Sequence, residues 1–225
     1  MAGMTDIDTD ESFTEKLRTQ AQPRWTDVTE HRFTEELIDG TLSDDVFRRY
    51  LVQDFAFVNT LASAIGHGAG QAPTLAAKAE LATFLQVVAT DETDYFERAF
   101  DALSVSGSDR RSPTLRPTTA RFDDLITRAA LEGGYAETLA VIVPAEWIYL
   151  TWASRAGEQR PERFYLAEWI DLHTGEGFES TVAFLREELD SIAPTLSRRR
   201  RHRVSRLFEQ TVALEDDFFE MAYEE

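Results

Sequence analysis

The chain has 225 residues, 43% of them hydrophobic, and its 41 acidic and 23 basic side chains give a formal net charge of −18. That length and apolar content suffice for one sizeable core. The absence of cysteine excludes disulfides, thiolate metal ligands and thiol nucleophiles, and the negative charge argues against nucleic acid as a partner, because phosphate binding favours a basic surface.

The sequence contains no run of 18 apolar residues and no signal-peptide pattern, which predicts a cytoplasmic protein without a membrane partner. Lysine occurs only at Lys16 and Lys78, so 21 of the 23 basic residues are arginines. An acidic surface with almost no lysine is typical of adaptation to high salt, where repulsion between carboxylates is screened. We therefore interpret the acidity as a halophilic feature.

We predict an all-α fold of about eight helices, forming a single helical domain over residues 11–225 after a disordered segment over residues 1–10. No stretch shows the sustained alternation typical of strands, and no repeat of about 20 to 50 residues is visible. The stretches with helical character are, in chain order, 11–20, 25–38, 43–64 or beyond, 73–89, 91–103, 119–131, 135–156, 164–172, a stretch ending near 192, and 197–223.

Local signals set several helix boundaries. Pro23 separates the first two helices, and Gly40 ends the second. Ser43 is a favourable N-cap for the third. Residues 66–70 carry three glycines and are predicted to form a loop; because no strand precedes them, a phosphate-binding interpretation of the glycine spacing is disfavoured.

Three acidic residues lie within apolar helical stripes. Glu146 follows Ile142 by four residues and precedes Tyr149 by three, so it shares their face. Asp54 and Glu215 hold similar positions in two other helices. A buried carboxylate is costly unless it is hydrogen-bonded or titrates high and does chemistry. Taken alone, Glu146 fits a hydrogen-bonded core carboxylate, but the three acids together indicate one polar cavity inside a helical bundle.

Two other charged features are weaker. Glu92 lies in line with apolar residues and is a fourth candidate for an inward acid. The run over residues 198–203, five arginines and His202, resembles a nucleic-acid patch. In so acidic a chain, a solvated face that pairs with neighbouring acids is the favoured interpretation.

The histidines do not indicate a metal centre. Di-iron helical bundles need Glu-x-x-His pairs, and none of His31, His67, His173 and His202 lies three residues after a glutamate. His173 follows an apolar Trp-Ile pair and fits a cavity-facing residue and an ordinary helix-end residue equally well. We predict no metal and no cofactor.

Four aromatic residues at helical spacing are, by default, part of the core. Next to buried carboxylates, aromatic side chains also suit a flat heteroaromatic ligand, whose ring they sandwich while the carboxylates bind its amino groups. These residues are Phe57, Phe122, Tyr149 and Phe219.

Motifs along nearly the whole chain resemble the TenA family, the thiaminase-II group within the haem-oxygenase-like helical fold. The matching residues are Asp39, Gly40, Thr41, Leu42, Phe47, Tyr50, Leu51, Gln53 and Asp54, then 143–149, then Tyr165, Trp169 and Ile170, and finally 215–223. The resemblance implies a pocket for the aminopyrimidine of thiamin and its breakdown products.

The resemblance also implies residue roles. Asp54 matches the acid that binds the amino edge of the pyrimidine, and Phe57 matches an aromatic of the stacking wall. Tyr149 matches a tyrosine that bonds near the catalytic centre. Glu215 matches the acid that protonates or binds the ring and the leaving amine.

The sequence departs from the family pattern at three positions. Ala145 replaces the nucleophilic cysteine, which removes the covalent attack of a thiaminase II. Phe122 and His173 replace pocket tyrosines and stay candidate substrate-binding residues. A cysteine-lacking subgroup relies on glutamates and is linked to salvage of aminopyrimidines, including N-formyl forms, and Glu146 is our candidate for its second catalytic glutamate beside Glu215.

The sequence thus predicts a hydrolase acting on 4-amino-5-aminomethyl-2-methylpyrimidine or its N-formyl derivative. One glutamate activates water and the other protonates the leaving nitrogen, with the assignment of acid and base left open. The alternative is a non-catalytic protein that binds a pyrimidine or thiamin in the same pocket. The resemblance implies a homo-oligomer, a tetramer.

Overall fold

A computed structural model describes residues 11–224, apart from the side chains of Asp91 and Glu92, and every regular element in that range is helical. The predicted disorder of residues 1–10 and the inward position of Glu92 therefore lie outside the described part. The helices are α1 (Phe13–Gln20), α2 (Arg24–Thr29), α3 (Arg32–Ile38), α4 (Asp44–Gln71), α5 (Leu75–Val87), α6 (Thr93–Ala102), α7 (Gly107–Arg111), α8 (Pro117–Arg128), α9 (Tyr135–Ser154), α10 (Phe164–Leu172), α11 (Glu176–Ile192) and α12 (Arg198–Met221). Two π-helical turns, Val88–Glu92 and Ala129–Gly133, follow α5 and α8.

The all-α prediction is confirmed, and the predicted count of about eight helices is roughly met. Of the helices in residues 11–224, three are shorter than eight residues. Two of these arise because the predicted helix over 25–38 is divided near His31. The imidazole Nδ1 of His31 accepts a hydrogen bond from the amide of Phe33 at 3.1 Å and so caps a new helix.

Residues 66–70 form the last turns of α4, so the prediction of a loop there is wrong. Tertiary packing outweighs the low helix propensity of glycine at this point. A Cβ atom at Gly68 would lie 3.4 Å from Cγ2 of Thr138 on α9 and 3.8 Å from Cδ1 of Leu81 on α5. The small residue lets three helices approach closely, and the segment offers no phosphate-binding loop.

The turn between α3 and α4 explains one part of the family-like signature. Gly40 has φ +68°, a left-handed conformation that favours glycine. Ser43 then caps α4 as predicted, accepting a hydrogen bond from the amide of Val46 at 3.3 Å. Across the turn, Arg163 donates to the Gly40 carbonyl at 2.7 Å and forms an ion pair with Asp44. These residues fix the start of the helix that carries Asp54.

Helix α9 is the most buried long helix. Sixteen of its 20 residues are buried, against α2, α4, α11 and α12 among others. A helix that is apolar on all sides belongs inside a protein. Of the helices in the described range, none is both long and apolar enough to cross a membrane.

An ion pair between the buried Glu137 and the half-exposed Arg200 ties α9 to α12. Glu137 is 2% exposed, and its two carboxylate oxygens accept hydrogen bonds from Nε of Arg200 at 3.1 Å and from Nη2 at 2.5 Å. The guanidinium holds the pKa of Glu137 below its usual value even though burial acts in the opposite direction. The bidentate geometry fixes the two helices relative to each other near their N-terminal ends.

Candidate active site

The three acids predicted to face inward line one cavity. Asp54 lies on α4, Glu146 on α9 and Glu215 on α12. All three are buried, with 4%, 7% and 2% of their surface exposed, respectively. The cavity lies where these three helices and the end of α10 meet. Its lining is Asp54, Phe57, Val58, Leu61, Ala145, Glu146, Tyr149, Trp169, His173 and Glu215.

The cavity is narrow. Its free volume is about 30 Å³, enough for about one or two water molecules. Val58 lines this cavity and also a larger cleft of about 660 Å³ that contains Asn59 and Asp123. A ring-sized ligand therefore requires movement of lining side chains, and Val58 marks the side on which the cavity adjoins open space.

Glu215 is a buried acid whose pKa is raised. Burial raises its pKa well above the usual value, and the negative charges of Asp54 and then Glu146 raise it further. Its Oε1 atom is buried and has no hydrogen-bond partner among the described residues. An unpartnered buried carboxyl oxygen at a cavity wall is the arrangement expected of a group that meets a ligand or a water.

A pair of tyrosines stands beside the acids. The hydroxyl groups of Tyr50 and Tyr149 lie 2.6 Å apart, with Tyr50 on α4 and Tyr149 on α9. Burial, followed by the charge of Asp54, raises the pKa of each phenol well above 10. Both hydroxyls therefore stay protonated and act as neutral hydrogen-bonding groups next to the cavity.

The imidazole of His173 has a defined tautomer. Its Nδ1 lies 2.7 Å from the carbonyl oxygen of Trp169. A carbonyl only accepts hydrogen bonds, so Nδ1 carries the proton, and burial lowers the pKa of His173 to about 4. At neutral pH the ring is uncharged and its Nε2 is an acceptor, which the tyrosine of the family pattern also offers through its hydroxyl.

This buried neutral imidazole predicts a pH effect on stability. The unfolded chain binds a proton at His173 below about pH 6.5, whereas the native ring stays neutral down to about pH 4. The contribution of His173 to the free energy of unfolding is therefore fully present above pH 6.5 and decreases as the pH falls. The decrease is about 2 kcal/mol at pH 5. We expect the free energy of unfolding of wild type to fall toward that of His173→Gln by this amount between pH 7 and pH 5.

Urea unfolding at each pH measures the effect, with the exposed His67→Gln on α4 as the matched control. The raised pKa of Glu215 acts in the opposite direction, because the native state then binds a proton that the unfolded chain releases. The comparison between variants separates the two contributions. A constant difference between wild type and His173→Gln across this range would contradict the neutral buried ring.

The predicted aromatic residues divide between the wall and the layer behind it. Phe57 and Tyr149 line the cavity. Phe122, predicted to bind substrate, is 1% exposed, lies outside the lining and packs on Phe57 with ring centroids 4.5 Å apart. Trp169 is the aromatic wall residue to which sequence reasoning gave no role; its ring centroid is 4.5 Å from that of His173. The signal was its place in the tyrosine–tryptophan–isoleucine motif.

Gln53, next to Asp54, holds the segment before α8. Its amide nitrogen donates to the carbonyl of Thr114 at 3.1 Å, and its oxygen accepts from the amide of Arg116 at 2.8 Å and from the hydroxyl of Thr119 at 2.7 Å. Gln53 is thus a structural neighbour of Asp54 rather than a cavity residue.

Among the described residues, no group of three or more His, Asp or Glu side chains is arranged to hold a metal ion.

Comparisons with known proteins identify relatives over nearly the whole chain. The sequence profile of the TENA/THI-4/PQQC family matches residues 18–225. An "aminopyrimidine aminohydrolase" of Bacillus subtilis (strain 168) is 26% identical over 211 residues, which cover 94% of this chain and 89% of that protein. Both findings confirm the TenA resemblance inferred from the motifs.

Solved structures agree on the fold. A TenA homologue from P. horikoshii OT3 superimposes with a TM-score of 0.84 at 24% identity, covering 95% of this chain and 99% of that one. A domain of unknown function with a haem-oxygenase-like fold, from Shewanella denitrificans OS217, gives a TM-score of 0.64 at 14% identity over 93% of this chain and 91% of that chain. The expected haem-oxygenase-like fold is thereby confirmed.

Proposed function

This chain is a member of the TENA/THI-4/PQQC family, and on that premise we propose that it hydrolyses a thiamin-derived aminopyrimidine in salvage of the pyrimidine. The substrate is 4-amino-5-aminomethyl-2-methylpyrimidine or its N-formyl derivative. The similarity to a protein named aminopyrimidine aminohydrolase supports this reaction class. The observation that carries the proposal is a buried acid, Glu215, coupled to the carboxylates of Asp54 and Glu146 in one cavity.

The cavity supplies groups for binding a flat, amino-bearing ring. Asp54 accepts hydrogen bonds from the amino edge of the pyrimidine, and Nε2 of His173 is a second acceptor on the wall. Phe57 and Trp169 provide the apolar faces against which the ring lies. The amino hydrogens of such a ligand then meet acceptor atoms in a buried site, which favours specific binding.

The raised pKa of Glu215 suggests the division of labour between the two glutamates. Glu215 holds a proton and donates it to the leaving nitrogen, while Glu146 takes a proton from the attacking water. The water oxygen forms the new C–O bond, the C–N bond breaks, and the amine leaves as ammonia. With the N-formyl substrate, the same water attacks the formyl carbon and formate is released.

The reaction is tested by incubating the purified protein with each pyrimidine. Ammonia from the amino compound, or formate from the N-formyl compound, identifies the substrate and supports the proposal. The alternative is a pyrimidine- or thiamin-binding protein without catalysis, and the absence of a nucleophile at Ala145 together with the withdrawal of Phe122 from the cavity favours it. Binding by calorimetry with neither product released would establish that alternative.

We expect no useful cleavage of thiamin by the wild-type protein. Ala145 lines the cavity beside Glu146 and carries no nucleophile. Ala145→Cys places a thiol at this point and should produce measurable thiamin loss, whereas Ala145→Ser, of similar size and weaker nucleophilicity, should not. Cleavage of thiamin by wild type at the rate of Ala145→Cys would refute the role assigned to this position.

We propose that the acidic surface adapts the protein to high salt in a cytoplasmic setting, and that the chain forms a homotetramer. The net charge is −18, so acidic side chains repel one another across the molecule at low ionic strength. The Debye length falls from about 30 Å at 0.01 M to about 3 Å at 1 M, so salt screens this repulsion. The thermal midpoint should therefore rise from low to molar KCl. Light scattering in the same salt series tests the tetramer, and a flat thermal profile would argue against the halophilic interpretation.

A further inference from the structure

A second cleft is lined by arginines, and its lining shares no residue with the cavity that contains the three acids. It has a volume of about 930 Å³ and lies between the start of α12, the end of α11 and the glycine turn before α9. Four arginines line it, against a single carboxylate, Glu137. In a chain with 18 excess negative charges this is a concentrated positive site. The arginines are Arg199, Arg200, Arg203 and Arg206.

The four arginines differ in whether they form an ion pair. Arg200 is held by Glu137 in the bidentate ion pair. Arg199, Arg203 and Arg206 are exposed, and within residues 11–224 they form no ion pair. The favoured expectation that the run over residues 198–203 pairs with neighbouring acids is therefore met by Arg200 but not by Arg199 and Arg203.

The position of the charges is unfavourable for the helix itself. The N-terminal end of α12 carries the positive end of the helix dipole, and its first turn contains no acid. Arginines at 199, 203 and 206 follow the i, i+4, i+7 spacing of one helix face. At about 1.5 Å per residue, this row extends over about 10 Å, more than one phosphate group needs.

The opposite wall of the cleft is the close-packed turn at the start of α9. Gly134, which precedes α9, offers no capping side chain, and Tyr135 and Ala136 of the first turn line the cleft. A Cβ atom at Gly134 would lie 3.2 Å from Nη2 of Arg200. The turn before α9 and the guanidinium of Arg200 on α12 thus approach each other closely.

We propose that this cleft binds an anion with two or more phosphate groups, such as a diphosphate or a diphosphate ester. Arginine guanidinium groups suit phosphate oxygens through bidentate, charge-assisted hydrogen bonds. The arginines of α12 that form no ion pair supply the charge, and Glu137, the only carboxylate of the described lining, keeps Arg200 in place. The site is independent of the cavity that holds Asp54 and Glu215.

Inorganic pyrophosphate is the probe, titrated by calorimetry and thermal shift at fixed ionic strength with KCl as the balancing salt. We expect saturable binding that is about tenfold to hundredfold weaker in Arg199→Gln/Arg203→Gln, the loss typical of charge-assisted hydrogen bonds. Arg198→Gln is the positional control: it removes one positive charge, against two in the double variant, from the same helix turn but outside the cleft lining. The control should bind like wild type.

Equal weakening in the double variant and in Arg198→Gln would overturn the site, because it would show a general effect of charge. Equal stabilisation by phosphate and by pyrophosphate would overturn the requirement for two phosphate groups. If the double variant has a lower thermal midpoint without ligand, the single variant Arg203→Gln replaces it in the same titration. Loss of pyrophosphate binding in a variant with unchanged aminopyrimidine turnover supports a separate site.

Discussion

Glu215→Gln is expected to lower the turnover of an aminopyrimidine by about 10²–10⁴, the usual contribution of a general acid or base. Glutamine keeps the size of the side chain and an N–H donor in place of the protonated carboxyl group. The variant should therefore bind the ring nearly as well as wild type, but it has no proton to give to the leaving nitrogen. Single-turnover kinetics measure the loss, and calorimetry measures the binding.

The control for this variant is Glu209→Gln, an exposed position on the same helix. Glu146→Gln should reduce turnover in the same way if the two glutamates act on one water and one leaving group. The double variant should then lose much less than the product of the single effects, because either loss alone stops the step. Wild-type rates in Glu215→Gln and Glu146→Gln would refute the two-glutamate mechanism.

Asp54→Asn is expected to weaken binding of the aminopyrimidine by about tenfold to hundredfold, which corresponds to about 1.5–3 kcal/mol. The substitution keeps the shape but replaces one acceptor oxygen by an NH₂ group, which faces the donor edge of the ring. Asp54 also raises the pKa of Glu215 through its charge. The neutral amide should therefore also shift the titration of Glu215 toward lower pH.

Calorimetry with the substrate, or with an unreactive pyrimidine of the same amino pattern, measures the affinity. Asp45→Asn is the matched control, because Asp45 lies on the same helix with its side chain 69% exposed and paired with Arg48. A change in turnover at saturating substrate with no change in affinity would assign Asp54 to the chemical step instead of to binding.

The sequence by itself determined the helices whose limits depend on local chemistry. Ser43 and Gly40 identify their boundaries because an N-cap hydroxyl and a left-handed glycine act within a few residues. For residues 66–70 the local signals predict a loop, and this prediction is wrong for the complementary reason. Their helical state depends on contacts with Leu81 and Thr138, which lie on other helices and which no local propensity contains.

The candidate site shows the same division. The spacing of Asp54, Glu146 and Glu215 within apolar stripes was enough to predict that all three are buried, and the structure brings them to one cavity. The spacing was not enough to distinguish a cavity acid such as Glu146 from Glu137, which lies on the same buried helix but forms an ion pair with Arg200. Both are carboxylates in an apolar helix.

The tertiary structure alone decided which buried acids are satisfied by a cation and which face one another. The pKa of Glu215 rises because burial removes water from the carboxyl group and because Asp54 and Glu146, far away in the chain, are near in space. Arg200, by contrast, lowers the pKa of Glu137. A sequence can place a carboxylate in the interior through helical periodicity, but its electrostatic state depends on the nearest charges and on the loss of water, and both follow from the packing of separate helices.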